Sequence, residues 1–169
     1  EAFELMKRGG ARQIALIQGS SVYHFNRIVR QEYNAFCSRE GQTPQIIDVG
    51  YVASETAGHD AVLELLSRPD PPDAIYAGLD RLATGALLAA ERNRIRVPDD
   101  LLISAGSDGM TERSSVPITS AELHPANLGR AAMEMLIGVI EATGIMKRIL
   151  IPGSLNERAS TAGLCKGDV

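Results

Sequence analysis

Residues 72–108, PDAIYAGLDRLATGALLAAERNRIRVPDDLLISAGSD, decide the fold. The run Ala74 to Ala77 is apolar and too short for a helix, so it reads as a buried strand. Asp80 follows at a position suited to accept from the free amides of a first helical turn. Ala83, Ala86, Leu87 and Ala90 then recur at helical spacing as far as about Arg92. A second apolar run, Leu101 to Ala105, reads as another strand. A strand, a helix and a strand at this spacing form the crossover unit of a parallel sheet.

The same alternation extends both ways. Upstream, Gln13 to Gln18 (QIALIQ) is a buried strand, followed by Gly19-Ser20-Ser21 and a helical stretch from roughly Val22 to Arg39 that stops at Gly41. Gln45 to Val49 is the next strand. Ser54 or Thr56 caps a helix carrying Ala61, Val62, Leu65 and Leu66, and Pro69, Pro71 and Pro72 end it because proline has no amide to donate. Downstream, Ile118 to Leu123 is extended. From Leu128 an apolar stripe of Ala131, Ala132, Met135, Leu136, Val139 and Ile140 marks a helix face that needs a partner. Arg148 to Ile151 and Ser154 to Glu157 read as a closing strand pair. The expected fold class is α/β, a parallel sheet flanked by helices.

Bulk properties narrow the function. The chain has 169 residues, 44% of them hydrophobic, enough to bury a core. Net charge is −4, with 17 Lys and Arg residues scattered along the chain, which disfavours nucleic-acid binding by this segment. Cys37 and Cys165 have neither a CxxC spacing nor a nearby histidine cluster, and His24, His59 and His124 are dispersed, so nothing points to a metal or other cofactor. Two free thiols suit a cytoplasmic protein. No apolar run approaches the roughly 20 residues that span a bilayer. A nucleophile elbow, an HExxH motif and a phosphate loop are all missing, so the expectation is a protein that is not an enzyme.

Ligands of open α/β sheets bind beyond the carboxyl ends of the strands. That rule selects Ser20 and Ser21, the stretch Tyr76 to Asp80, and Ser107 with Asp108. A polyol there would be held by carboxylate and guanidinium hydrogen bonds, with an aromatic face against its ring.

The order of motifs resembles the LacI/GalR family of transcription regulators, whose sensor is similar to periplasmic sugar-binding proteins. The resemblance is carried by Ala2, Leu5, Gly9 and the strand IALI; by Pro72 to Ala77 with Asp80, Ala83, Gly85, Ala86 and Leu87; by Arg96-Val97-Pro98-Asp99-Asp100 with Gly106-Ser107-Asp108; and by Pro117 to Ser120, Leu128-Gly129, and Leu155 with Arg158, Ser160 and Thr161. It implies a type I periplasmic-binding-protein-like sensor that is incomplete. Residues 11–123 would form the C-terminal lobe and 124–147 a helix belonging in the family to the other lobe. Residues 148–161 would be closing strands, and the DNA-binding headpiece would be absent. The implied partners are a small effector, a second copy in a homodimer, and operator DNA reached only through that headpiece, with no membrane partner. The rival is a periplasmic-type solute-binding protein, which shares the fold.

Residue by residue, Asp108 matches the family's effector-binding aspartate, against the plainer reading of an Asx turn before Gly109. Asp80 is explained by helix capping alone. Arg27 corresponds to an arginine that the family supplies from the helix after the first strand, although the glycine expected beside it is missing; a solvated surface arginine is the alternative. Tyr76 holds an aromatic position that lines the cleft or packs in the core. Leu79 replaces an asparagine common in the family and makes the expected pocket less polar. His24 lies beside the serine loop, within reach of a ligand or simply solvated.

Overall fold

The computed structural model describes residues 1–141 and 148–164. In chain order the elements are α1 (Ala2–Arg8), β1 (Ile14–Gln18), α2 (His24–Glu40), β2 (Gln45–Asp48), α3 (Glu55–Leu66), β3 (Ala74–Ala77), α4 (Asp80–Arg92), β4 (Leu102–Ala105), β5 (Thr119–Glu122), α5 (Pro125–Ile140) and β6 (Ser154–Asn156). The strands form one six-stranded sheet in the order β2-β1-β3-β4-β5-β6, parallel throughout except for the antiparallel pair β5 and β6. The chain reverses its direction of winding between β1 and β3, so helices cover both faces.

Side-chain alternation assigns each strand residue to a face. Ala15, Ile17, Ile75, Ala77, Ile103 and Ala105 pack under α3 and α4. Ile14, Leu16, Ala74, Tyr76 and Leu102 pack under α1 and α2 with Met6, Tyr33 and Phe36. Helix α1 has no counterpart in the sequence reading, because seven residues give too little periodicity to recognise. Buried Tyr33 joins β1 to β2: its hydroxyl donates to the Ile14 carbonyl at 2.7 Å and accepts from the Gln45 amide at 2.9 Å.

Helices α3 and α4 meet backbone to backbone. A β-carbon on Gly58 would lie 2.3 Å from the Leu82 carbonyl oxygen, and one on Gly85 would lie 2.0 Å from that of Glu55. Ser54 caps α3 as expected, accepting from the Ala57 amide at 3.1 Å. Gly41 closes α2 at φ +68°. Helix α2 starts at His24, two residues beyond the expected boundary, because Ser20 to Tyr23 form a hydrogen-bonded turn.

The end of the chain departs from expectation. Arg148 to Ile151 is not a strand. Strand β6 pairs with β5 instead, and its first residue, Ser154, stands opposite Glu122, the last of β5. Residues before Ser154 therefore run past the sheet edge, where β5 offers no partner. Helix α5 follows β5, starting at Pro125 within the expected 124–147, and buries none of its side chains. The expected continuation of this helix through 142–147 lies outside the described residues, as does Cys165.

Candidate functional site

Three glycines, Gly19, Gly78 and Gly106, directly follow β1, β3 and β4 and floor the carboxyl edge of the sheet. A β-carbon on Gly106 would lie 2.5 Å from the Gly78 carbonyl oxygen and 2.9 Å from the Tyr76 hydroxyl, so no side chain fits there. Loops leaving this floor carry the candidate residues in two groups, at the ends of β1 and β4. Strand β3 separates them, a span of about 10 Å from two inter-strand spacings.

At the β1 end, the Ser20 amide donates to the Gly50 carbonyl at 2.7 Å, and Asn26 Nδ2 donates to the Ser20 carbonyl at 2.8 Å. Arg27 curls back over the same loop, donating to the Val22 carbonyl at 2.8 Å and facing His24 Nδ1 at 3.4 Å. Ser20, Ser21, His24 and Arg27 are thus gathered in one turn, with the arginine exposed. Tyr23 and Tyr51 stand exposed beside it, their rings edge to face at 6.4 Å.

Tyr76 lies in the core, 8% exposed, with its ring 4.9 Å from Phe3. Burial pushes its pKa up to about 12, so it stays a neutral hydroxyl. Leu79 packs partly buried on the α3 and α4 side of the sheet. It also takes the N-cap position of α4, which corrects the expected role of Asp80. Asp80 is the first helical residue and its carboxylate caps nothing. It accepts instead from Ser107 Oγ at 3.4 Å, while that hydroxyl accepts from the Asp80 amide at 3.0 Å. A β-carbon on Gly109 would lie 2.2 Å from Asp80 Oδ2, so a side chain there would have to displace the Asp80 carboxylate.

Asp108 is the centre of the second group. Its Oδ1 accepts from Thr111 Oγ1 at 2.5 Å, and its Oδ2 accepts from Asn156 Nδ2 at 2.8 Å and Arg158 Nη2 at 2.6 Å. Arg158 also donates to the Ile118 carbonyl at 2.7 Å and Ser120 Oγ at 2.6 Å. The two charged side chains are only 10% and 15% exposed. Burial raises the Asp108 pKa, but the hydrogen bonds from Arg158, Thr111, Asn156 and Ser120 outweigh it and hold the carboxyl well below the usual range. Asp108 borders two open cavities, one of about 410 Å³ with Met110, Glu112, Arg113 and Glu122, the other of about 260 Å³ with Asp80, Ser107, Glu122 and Leu123.

The sequence reading selected Asp108 but missed its partners. Arg158 was visible in a motif, yet its carboxylate lies 50 residues away, a pairing no local spacing reveals. Ser160 and Thr161 of the same motif are structural: Ser160 Oγ accepts from the Thr119 amide at 2.9 Å and donates to the Ile103 carbonyl at 2.6 Å, and Thr161 Oγ1 meets Thr119 Oγ1 at 2.6 Å. Also missed is a cluster at the β1 and β2 ends, where Arg30 pairs with Asp48 at 3.5 Å and the Gln18 carboxamide oxygen, turned toward Arg30, accepts at 3.1 Å. Among the described residues, no group of three or more His, Cys, Asp or Glu side chains is placed to hold a metal ion.

A doubly covered parallel sheet with polar loops converging on its carboxyl edge is the open α/β architecture whose ligand sites lie beyond the strand ends. Residues 3–161 match the periplasmic binding protein-like domain, and the chain belongs to that family. Its curated relatives are regulators. It is 36% identical over 95 residues to the HTH-type transcriptional repressor CytR of Escherichia coli (strain K12), covering 56% of this chain and 28% of that one. It is 28% identical over 154 residues to the ribose operon repressor of the same organism, covering 89% and 47%. A LacI family transcriptional regulator from Bifidobacterium animalis subsp. lactis superposes with a TM-score of 0.87 at 25% identity, over 96% of this chain and 60% of that one. The chain thus spans less than half the length of these curated relatives and resembles the effector-binding region of LacI/GalR regulators.

Proposed function

We propose that the chain is the effector-sensing part of a cytoplasmic LacI/GalR-type repressor that acts as a homodimer and reaches operator DNA through a separate headpiece. The observation that carries this reading is the carboxyl edge itself: a glycine floor flanked by a serine and arginine turn on one side and an ionised, hydrogen-bonded Asp108 on the other. The effector is a small polar metabolite such as a sugar. Ser20, Ser21 and Arg27 contact it from the β1 turn, Asp108 accepts from it at the β4 end, and Tyr76 and Leu79 border it below. Binding that differs between two arrangements of the sensor then changes operator affinity. Catalysis has no part in this reading, and the solute-binding alternative is not favoured because the curated relatives are repressors.

The test is thermal unfolding of the full-length regulator with a panel of pentoses, hexoses and nucleosides. A ligand present at 100 times its Kd adds about 2.7 kcal/mol of stability, a shift of several degrees. The same ligand should alter operator retention. If no compound in the panel moves either readout, the reading fails.

A further inference from the structure

Asp108 faces two ways. Toward the carboxyl edge it borders the two cavities at the β4 and β5 ends. Away from them, its Oδ2 accepts from Asn156, the last residue of β6, and from Arg158 two residues on. Strand β6 is only three residues long and is paired on one side, to β5, over three register positions. So short an edge strand has little cooperative ladder of its own. The side chains of Asn156 and Arg158 bind it instead to the loop after β4, and Arg158 reaches on to Ile118 and Ser120.

We infer that Asp108 and Arg158 are a positioning pair: the carboxylate that borders the proposed effector site also fixes residues 154–158, by which the chain rejoins the sheet after α5, while Ser160 and Thr161 hold the residues that follow. A ligand donor that engages Asp108 competes for the oxygens that Asn156, Arg158 and Thr111 already use. Occupancy at the cavity is thereby felt at the edge strand. This coupling to ligand rests on the function proposed above. The anchoring of 154–158 by Asp108 does not.

Amide hydrogen exchange on the chain without ligand tests the anchoring. In Asp108→Asn, exchange across 154–158 should rise about tenfold or more, while amides of α3 and α4 keep their protection. Arg158→Lys keeps the charge but loses the planar fork, so it should loosen the same segment by a smaller factor. The double variant should exchange faster than either single but by less than the product of the two effects, because the singles share the bond between the pair while Arg158 also holds Ile118 and Ser120. Unchanged exchange in 154–158, a uniform rise over the whole chain, or strictly additive effects would each overturn the inference. A failed ligand panel would remove only the effector reading and leave this result standing.

Discussion

At the residue scale, the charge of Asp108 is the feature on which stability and site both depend. Removing one partner of a buried ion pair strands the other, at a cost of about 3 to 5 kcal/mol. Asp108→Ala should therefore destabilise the chain by about 3 kcal/mol in urea unfolding near neutral pH, measured against the wild type. The pH dependence has a definite sign. The folded carboxyl titrates below its ordinary value of 3.8, so its contribution is complete well above that pH and is lost progressively as the pH falls from there through the depressed value. The gap in urea midpoint between wild type and Asp108→Asn should stay level from pH 7 to about pH 5 and narrow below about pH 4. A gap that widens on acidification would contradict the assignment of this carboxylate as the ionised member of the pair. Arg27 is a contrast: it is exposed and bonded only within its own turn, so Arg27→Ala should change stability by no more than about 0.5 kcal/mol.

At the element scale, the crossing of α3 and α4 depends on two glycines. Gly85→Ala must push the α3 backbone away from a contact with no spare room, and overpacking of this kind costs about 1 to 3 kcal/mol. Gly129, inside α5, has open space where a β-carbon would go, so Gly129→Ala should stabilise by roughly 0.5 to 1 kcal/mol through helix propensity. Opposite signs for these two substitutions in denaturant unfolding are the expected outcome, and equal signs would contradict the close crossing. The sequence made β1, β3, α4 and β4 legible because each is a buried run or a regular stripe bounded by a glycine, proline or capping residue. The Gly58 and Gly85 contact was not legible, since a helical glycine reads locally only as a weak helix former. Nor was the fate of Arg148 to Ile151. Its apolar residues satisfy a strand pattern, but pairing depends on where β5 ends, and that is set by the register of Ser154 opposite Glu122. The site divides the same way: loop positions at strand ends follow from topology, whereas the pairing of Asp108 with Arg158 exists only once β6 is laid beside β5.

At the scale of the whole molecule, charge and exposed apolar surface lead to separate expectations. With net charge −4 and no clustered cations in the sequence, this chain should retain operator DNA no better than an acidic control protein, and salt-sensitive, sequence-specific retardation would contradict that. Helix α5 carries one exposed apolar face, with Leu128, Met133, Leu136, Ile137, Val139 and Ile140 all exposed. The stripe that the sequence marked as needing a partner is not covered among the described residues: no residue of α5 is buried, and only Ala131 and Met135 of the stripe are partly shielded. Burying such a surface contributes about 25 cal/mol per Å² before the cost of association, so a face that covers about 1,000 Å² between two chains favours pairing at high protein concentration. A closed, symmetric pair is the simplest product, since one face then serves as its own complement. Light scattering of the isolated chain should therefore show mass rising with concentration. Leu136→Glu places a carboxylate on a face where Leu136 is 53% exposed, and should return the chain to a monomer with little loss of unfolding stability. A chain that stays monomeric at high concentration, with Leu136→Glu changing neither mass nor stability, would show that α5 tolerates water as it stands.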